Sequence, residues 1–274
     1  MPPATTLTQT LPRWPWPPFV GASIGLHAVA AGAAMLLPGS LPWAAGAVLL
    51  NHGVLGAAGL WPKSRLLGPN LTRLPAAAAA RGQVTLTFDD GPDPEVTPRV
   101  LDLLDAAGAR ATFFCIAERV RAQPALVRQI VARGHDVQNH SNGHAHHFSL
   151  LGPRGFEREI GAAQQVLFDA TGSRAHCFRA PAGLRNPLLD PVLHRMNLHL
   201  VSWTRRAFDT RYRHAARIAA RLQRGLAAGD ILLLHDGNSR DGVVLQALPL
   251  VLEGLRAHGL RSVTLREAVP PRHA

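Results

Sequence analysis

From residue 84 onward, short apolar or β-branched runs alternate with segments of helical periodicity. Repeated strand–helix units of this size predict a parallel sheet covered by helices. The predicted strands span residues 84–88, 110–116, 135–139, 176–180, 199–203, 231–235 and 261–265. Several helical segments end in glycine, which readily adopts the left-handed conformation that follows a helix; these are Gly108, Gly134, Gly172, Gly229 and Gly259. Seven strands rather than eight predict an α/β fold, a distorted and incomplete (β/α)7 barrel.

The first eighty residues follow a different pattern. Residues 19–37 and 41–60 are two nearly charge-free apolar stretches, each close to the ~20 residues that cross a bilayer. Their alanine and glycine content suits close packing of two helices. We predict a transmembrane hairpin within a membrane-anchor region and linker over residues 1–81, followed by a separate α/β domain over residues 82–274. A cleaved signal peptide and an amphipathic cap on the barrel are the alternatives.

Polar and charged residues bear on how this hairpin would sit. Three polar residues interrupt the apolar stretches, and we expect them to face the partner helix or the membrane interface: His27, Asn51 and His52. Basic residues flank the hairpin on both sides, namely Arg13 before it and Lys63, Arg65, Arg73 and Arg81 after it. By the positive-inside tendency, both ends lie in the cytoplasm. The pattern therefore favours a cytoplasmic catalytic domain tethered to a bacterial-type inner membrane.

Four short segments carry most of the residue types used in catalysis. They are residues 87–92, 140–144, 179–183 and 232–235, and each lies at or just beyond the C-terminal end of a predicted strand. Barrels of this architecture gather their active sites at that end. Together the segments supply carboxylates, histidines and an arginine, which is the equipment for metal-assisted hydrolysis.

Asp90, His140 and His144 are the candidate metal ligands. A catalytic divalent ion usually takes three protein side chains and leaves one position for water. The two histidines are four residues apart, so one helical turn or a compact loop would place both imidazoles on the same side. The pair alone is weak evidence, because the stretch is histidine-rich and such histidines are often solvated or buried in a core; His146 and His147 follow closely.

Two adjacent carboxylates strengthen the metal hypothesis. Asp89 and Asp90 end a β-rich run and precede a Gly-Pro pair, which forces a turn. Neighbouring strand residues point to opposite faces, but a turn at the strand end can aim both carboxylates into one pocket. One carboxylate can then bind an ion while the other accepts a proton from the attacking water. A simple helix-capping turn would account for Asp93 but not for this doublet.

Taken together, these segments resemble the polysaccharide deacetylases of carbohydrate esterase family 4, which share the NodB-homology domain. TFDDGP at residues 87–92 is similar to the first family motif, HSNGH at 140–144 to the second, and RAPAG at 179–183 to the third. The hydrophobic run that ends in His235 is similar to the fifth. The resemblance covers roughly residues 82–268 and implies a distorted barrel that removes acyl groups from the nitrogen of amino-sugars.

The resemblance also implies roles for the matching positions. Asp89 would be the general base, Arg179 would orient it, and His235 would be the general acid that protonates the departing amine. Asp90, His140 and His144 would hold a divalent ion, most often zinc, with cobalt, manganese and nickel as alternatives. The implied substrate-binding residues are Pro181, Ala182, Gly183, Trp203 and Leu233.

Within this implied substrate site, individual positions have distinct tasks. The backbone amide near Ala182 would face the oxyanion that develops in the transition state. Trp203 and Leu233 would line the small pocket for the acyl methyl group.

The fourth motif is where the chain departs from the family. Members often carry two acidic residues and a tryptophan after a strand that contains tryptophan, whereas here TRRAFDT follows Trp203. Asp209 matches the second acid, which in the family pairs with the third-motif arginine and the catalytic histidine. Arg206 replaces the first acid and Thr210 the tryptophan. We therefore expect the reaction to be kept and the sugar pocket to be altered.

The charge of the chain is strongly positive, +11 at neutral pH, and it comes almost entirely from arginine because Lys63 is the only lysine. No nucleic-acid-binding module or basic motif interleaved with aromatic residues is visible, so no nucleic-acid partner is expected. Attraction to anionic lipid headgroups explains the charge more simply in a membrane-tethered protein.

The sequence therefore predicts a membrane-anchored, metal-dependent carbohydrate N-deacetylase that acts on linear amide bonds of an N-acylated amino-sugar. A cytoplasmic site would favour one alternative, a deformylase or deacetylase of a polyprenyl-linked amino-sugar at the inner leaflet, similar to the aminoarabinose-lipid deformylases that share this fold. The other alternative is a catalytically silent glycan-binding protein. The combination of Asp89, Asp90 and His235 argues against silence, because binding alone needs neither a base nor an acid.

Overall fold

The computed structural model describes residues 14–272, apart from the side chain of Arg240. Its helices are α1 (Pro18–Leu36), α2 (Leu41–Leu60), α3 (Ala76–Ala80), α4 (Val96–Ala106), α5 (Ala117–Ala122), α6 (Pro124–Ala132), α7 (Pro153–Thr171), α8 (Leu189–Arg195), α9 (Ala215–Gln223), α10 (Val244–Ala257) and α11 (Leu265–Ala268). Its strands are β1 (Gln83–Asp89), β2 (Ala111–Cys115), β3 (Asp136–Asn139), β4 (Cys177–Phe178), β5 (His199–Leu200), β6 (Arg205–Arg206), β7 (Ile231–His235) and β8 (Arg261–Ser262).

These strands form one parallel sheet in the order β5-β4-β3-β2-β1-β7-β6, and β8 pairs with the beginning of β1. The central strands β1, β2 and β7 are buried along their whole length, as expected for a parallel sheet with both faces covered. The prediction of a parallel, incomplete barrel is confirmed. All five predicted cap glycines have positive φ; Gly172, for example, has a φ of 73° directly after α7.

The described part of the chain has eight strands rather than the seven predicted. The additional strand, β6, pairs two arginines with Leu232 and Leu233 of β7. Sequence reasoning missed it because Arg205 and Arg206 form no apolar or alternating run, and only the backbone pairing reveals a strand there. Strands β4 and β5 are shorter than the predicted spans 176–180 and 199–203.

Alternation along the strands separates two cores. Leu232 and Leu234 of β7 belong to the core between the sheet and helices such as α4 and α10, whereas Ile231 and Leu233 point into the barrel interior. The same alternation places Leu233 and His235 on one side of β7, and Asp89 of β1 lies beside His235 in the register. Packing of the core thus brings these side chains to one end of the barrel interior.

Helices α1 and α2 form an apolar hairpin. Both are long and apolar enough to cross a membrane, and most of their surface is unburied, including Met35, Leu49 and Leu50. Their few polar side chains face each other, as expected: Asn51 Nδ2 donates to Ser23 Oγ at 2.6 Å. The rings of His27 and His52 also meet edge to face, with centroids 5.0 Å apart.

The segment between the hairpin and α3 packs on the barrel. Leu71 pairs in parallel with Val201 just beyond β5, and its carbonyl accepts from the Ser202 amide at 2.9 Å. Further along the linker, Arg73 forms an ion pair at 2.7 Å with Asp230, a buried residue that directly precedes β7. This linker therefore lies along the open side of the sheet, and it brings the end of α2 close to the carboxyl ends of the strands.

Candidate active site

A cavity of about 230 Å³ opens at the carboxyl ends of β1 and β7. Its lining residues come from several strand ends and the loops after them: Asp89, Asp90, His140, His144, Ala182, Gly183, Trp203, Arg206, Thr210, Leu233, His235 and Asn238. Asp89 and His235 end their strands, while His140 and Arg179 directly follow β3 and β4. The expected position of the site at the strand ends agrees with this arrangement.

The three candidate metal ligands meet in this cavity. Asp90, His140 and His144 can each offer one ligand atom, and these atoms lie within 4.8 Å of one another. Asp90 Oδ1 is 3.3 Å from Nε2 of both histidines. His144 lies in a loop, with a φ of 52°, so a compact turn rather than a helix brings the two imidazoles together.

The donor set fits a divalent metal ion. His140 Nδ1 donates to the Arg179 carbonyl at 2.8 Å, which fixes the proton on Nδ1 and leaves the lone pair of Nε2 for a ligand. Asp90 Oδ1 is buried and has no hydrogen-bond donor, whereas Oδ2 accepts from Asn238 Nδ2 at 3.1 Å. Two imidazoles and one carboxylate, one of whose oxygens is unsatisfied, are donor types that a divalent metal ion takes at a catalytic site.

The electrostatics of the cluster keep Asp90 ionised. Burial alone would raise the pKa of Asp90, but its interactions with the nearby His140, His235 and His144 outweigh burial and lower it well below its usual range. Burial would likewise lower the pKa of His140, but Asp89 and Asp90 outweigh burial and raise it. A carboxylate that is ionised across the physiological range is ready to bind a cation.

Asp89 is held by a fully buried arginine. Arg179 is only 1% exposed, and its Nη1 donates to Asp89 Oδ1 at 2.6 Å and to Thr87 Oγ1 at 2.8 Å. The same guanidinium donates to the Ser202 carbonyl and stacks on the Phe114 ring, 4.1 Å from its centroid. These contacts fix one oxygen of Asp89 and leave Oδ2 facing the histidine cluster, 3.8 Å from His140 Nε2.

His235 is held by Asp209 in the same manner. Its Nδ1 lies 2.8 Å from Asp209 Oδ1, and its backbone amide donates to Asp209 Oδ2 at 2.8 Å. Burial would lower the pKa of His235, but the Asp209 carboxylate outweighs burial and raises it. The resemblance implied that Asp209 also pairs with Arg179; in this structure the carboxylate partner of Arg179 is Asp89.

Four of the five predicted substrate-binding residues line the cavity: Ala182, Gly183, Trp203 and Leu233. Pro181 does not line it and is buried at the start of a 3-10 turn over Pro181–Gly183. The turn is tight on its outer side, because a Cβ at Gly183 would lie 2.7 Å from both Pro62 and Trp203. Arg206 and Thr210, the two departures in the fourth motif, also line the cavity.

Sequence reasoning missed two residues that hold Asp90. Asn238 donates to its carboxylate, and Arg119 Nη1 donates to its backbone carbonyl at 2.7 Å. Arg119 also donates to Asn238 Oδ1 at 2.8 Å, so the two form one support. The polar run that follows His235 at a strand end was a usable signal for Asn238. Arg119 lies on α5 and shows no such signal.

A buried acid, Asp236, was also missed. Burial raises its pKa to about 7, although a hydrogen bond from Thr97 Oγ1 at 2.6 Å opposes that change. It lies against Gly91 of the first motif, where a Cβ would come within 2.2 Å of Asp236. Asp236 therefore supports the turn that positions Asp89 and Asp90.

Comparison with known proteins agrees with this geometry. Residues 77–201 match the family model for polysaccharide deacetylase. A peptidoglycan-N-acetylglucosamine deacetylase of Bacillus cereus is 33% identical over 69% of this chain and 89% of its own length. The chain belongs to the polysaccharide deacetylase family. A chitooligosaccharide deacetylase of Sinorhizobium fredii is 34% identical over 61% of this chain and 78% of its own length.

A solved structure extends the agreement to the fold. The family 4 acetyl xylan esterase from Clostridium thermocellum, in complex with a cobalt ion, superimposes on this polysaccharide deacetylase with a TM-score of 0.63. It is 32% identical and covers 68% of this chain and 89% of the other. The predictions of family, fold class and carbohydrate deacetylase activity are confirmed at this level.

Proposed function

We propose that this polysaccharide deacetylase is a zinc-dependent enzyme that removes the N-acetyl group from an amino-sugar, and that α1 and α2 anchor it in a membrane. The observation that carries the proposal is the division of labour between two adjacent carboxylates. Asp90 belongs to the histidine cluster, whereas Asp89 is tied to Arg179 and stands beside that cluster. Asp89 is thus the group that can accept a proton there.

Asp89 would act as the general base. Its Oδ1 accepts from Arg179, so Oδ2 is the oxygen free to take a proton from the water that attacks the amide carbonyl. Arg179 would act as a positioning residue, since its buried guanidinium is fixed by several acceptors and cannot swing away.

His235 would act as the general acid. The Asp209 carboxylate raises the pKa of His235, which favours the protonated imidazole, and it fixes the ring so that Nε2 is left to donate. Protonation of the departing nitrogen is needed because an amine anion is a very poor leaving group. The amide near Ala182 would donate to the oxyanion, while Trp203 and Leu233 would enclose the acetyl methyl group.

The ion would be held by Asp90, His140 and His144. When bound, it supplies Lewis-acid polarisation of the carbonyl and lowers the pKa of water in the site. Zinc suits a set of two imidazoles and one carboxylate, and cobalt, manganese and nickel are the alternatives to be compared. The cobalt-containing esterase supports a divalent ion in this family rather than a choice among these metals.

The relatives support an amino-sugar substrate, since one is named for peptidoglycan N-acetylglucosamine and the other for chitooligosaccharide. The hairpin supports a substrate at a membrane surface, and the basic residues after α2 favour the cytoplasmic side. The complete pair of base and acid disfavours a silent glycan-binding protein.

The acid role can be tested with His235→Gln, and His258→Gln provides a matched control because His258 is exposed at the end of α10. Acetate release from N-acetylated chitooligosaccharides would be measured with the purified, zinc-loaded full chain. We expect His235→Gln to lower kcat by about 10²- to 10⁴-fold, the usual contribution of a general acid.

An activated ester separates the acid role from a structural one. A nitrophenyl acetate has a leaving group that needs no proton, so His235→Gln should lose much less activity on that ester than on the amide. Equal losses on both substrates would remove His235 from the acid role. Zinc-loaded wild type that releases no acetate from any N-acetylated amino-sugar would instead favour the glycan-binding alternative.

A further inference from the structure

We infer that the amino-sugar substrate carries a phosphate or diphosphate ester and that this anion binds in a basic cavity next to the active site. The inference rests on the proposed deacetylase function and adds the chemical class of the substrate. The basic cavity has a volume of about 420 Å³ and lies between the linker, β6 and α9. Its lining residues are Lys63, Trp203, Thr204, Arg205, Arg206, Phe208, Arg221 and Arg224, with no carboxylate among them.

The basic cavity adjoins the catalytic cavity. Trp203 and Arg206 line both, so a molecule with its N-acetyl group in one can reach the other across these two side chains. Arg206 therefore places a guanidinium, a group suited to binding an oxyanion, at the border between the two cavities.

Most of the cations in the basic cavity have no acidic partner. Arg205 is neutralised, since its guanidinium donates to the buried Asp230 and to two carbonyls. Within the described residues, no carboxylate pairs with Arg206, Arg221 or Arg224, and the buried Nε of Arg206 has no acceptor at all. An unsatisfied buried donor in a cluster of cations is the arrangement that an oxyanion would complete.

Aromatic side chains hold two of these arginines close together although their positive charges repel each other. The guanidiniums of Arg206 and Arg221 both stack on the Phe208 ring, at 4.8 and 4.5 Å from its centroid. Arg206 also lies 5.3 Å from the Trp203 centroid. Two like charges gathered on one ring are unfavourable without a counter-ion, so the cavity is preorganised for an anion.

The linker places this cavity close to the end of the apolar hairpin. Lys63 lies three residues after the end of α2, within about 10 Å of it along an extended chain. Its Nζ donates to the Thr204 carbonyl at 2.6 Å, at the edge of the cavity. A phosphate at headgroup depth would therefore meet the basic cavity while the sugar extends towards Asp89. Polyprenyl-diphosphate sugars and nucleotide-diphosphate sugars share this glycosyl-phosphate chemistry.

The test compares N-acetylated amino-sugar substrates that carry a phosphate anion with one that does not. Acetate release by the zinc-loaded full chain would be measured with polyprenyl-diphosphate N-acetylglucosamine, uridine-diphosphate N-acetylglucosamine and a neutral chitooligosaccharide. The variant is the double substitution Arg221→Ala with Arg224→Ala. Arg217→Ala is the matched control, because Arg217 lies on the same helix and stacks on Tyr212 outside the cavity.

The measured quantity is the anion preference, which is kcat/KM for a phosphate-bearing substrate divided by kcat/KM for the neutral oligomer. We expect the double variant to lower this ratio by about tenfold or more, which is the effect of losing a charge-assisted hydrogen bond. Arg217→Ala should leave the ratio within about twofold. Preference for the lipid or the nucleotide substrate then identifies the source of the phosphate. A ratio unchanged by the double variant, or wild-type preference for the neutral oligomer, would overturn the inference.

A binding measurement keeps the inference separate from the proposed activity. Both phosphate-bearing compounds would be titrated into the Asp89→Asn protein by calorimetry, with and without the double substitution. Binding that weakens about tenfold in the double variant supports the anion site even where no acetate is released. Failure of both compounds to bind, or binding indifferent to Arg221 and Arg224, overturns it whatever the outcome for acetate release.

Discussion

The candidate active site and the basic cavity beside it differ in how their charges are paired. We use the name catalytic floor for the paired groups of the candidate active site, which are Asp89, Asp90, Asp209, Arg179 and His235. On the catalytic floor, each carboxylate has a partner: Asp89 has Arg179, Asp209 has His235, and Asp90 has Asn238 and two histidines. In the basic cavity, Arg206, Arg221 and Arg224 have no carboxylate partner among the described residues.

We infer from this contrast that the reaction and the choice of substrate depend on different groups of residues. Paired, buried groups have their geometry set before a substrate arrives, which suits chemistry shared by a whole family. The unpaired cations of the basic cavity would gain a counter-charge only when an anionic ligand binds, so they suit the selection of a substrate. Arg206 lies at the border of the two cavities and lines both.

The largest effect on the floor is expected from Arg179→Met. The substitution leaves the buried Asp89 carboxylate without its cation, so the free energy of unfolding should fall by about 3–5 kcal/mol. Denaturation of the detergent-solubilised full chain would measure the loss, with Arg217→Met as the exposed control. A loss below about 1 kcal/mol would mean that Asp89 is not held as described.

Asp209→Asn should lower kcat by about 10²-fold and also move its pH profile. A general acid works while protonated, so kcat falls as pH rises through the pKa of His235. Burial lowers the pKa of His235 and the Asp209 carboxylate opposes that change, so loss of this charge lowers the pKa and should move the alkaline limb to lower pH. Asp102→Asn is the control, because Asp102 lies on the exposed face of α4. If the alkaline limb does not move in Asp209→Asn, it does not report the titration of His235.

At the edge of the floor, Asn238→Gly should weaken zinc affinity by about 10- to 100-fold, the usual effect of removing a side chain that orients a ligand. Glycine accepts the φ of 58° found at this position, so the change isolates the side chain. Asn197→Gly, at a φ of 56° in a turn after α8, is the matched control. Competition with a zinc-binding dye measures the affinity, and equal affinities in both variants would refute the role of Asn238.

The smallest effect is expected in the basic cavity. Arg221→Ala should change the free energy of unfolding by no more than about 0.5 kcal/mol, because relief of its repulsion with Arg206 offsets the lost contact with Phe208. Arg217→Ala loses a similar contact with Tyr212 without that relief, so it should be the more destabilised of the two. If Arg221→Ala is instead the more destabilised variant, the arginines of the basic cavity stabilise the fold and are not a site kept for an anion.

Sequence alone predicted that Asp89, Asp90, His140 and His235 would lie together, because they lie at strand ends and strand order brings those ends together. Asp89 and His235 are neighbours in the sheet although about 146 residues separate them. The five cap glycines were equally readable, since positive φ is a local requirement. These features depend on short segments and on the periodicity of secondary structure.

The residues that sequence reasoning missed depend on long-range packing. Arg119 supports Asp90 from a helix that carries no motif, and β6 exists only because two arginines pair with β7. The linker mixes apolar and basic residues and carries no recognised motif, yet it lies on the barrel and brings Lys63 to the basic cavity. No local pattern encodes such contacts, so only the folded chain reveals them.

Zinc content and acetate release, measured together in Asp89→Asn and Asp90→Asn, test the central claim most directly. If the adjacent carboxylates have the proposed separate roles, Asp89→Asn binds one zinc ion per chain and loses turnover by at least about 10²-fold, whereas Asp90→Asn loses zinc as well. Near wild-type turnover in Asp89→Asn, or loss of zinc from both variants alike, would contradict the division between base and ligand.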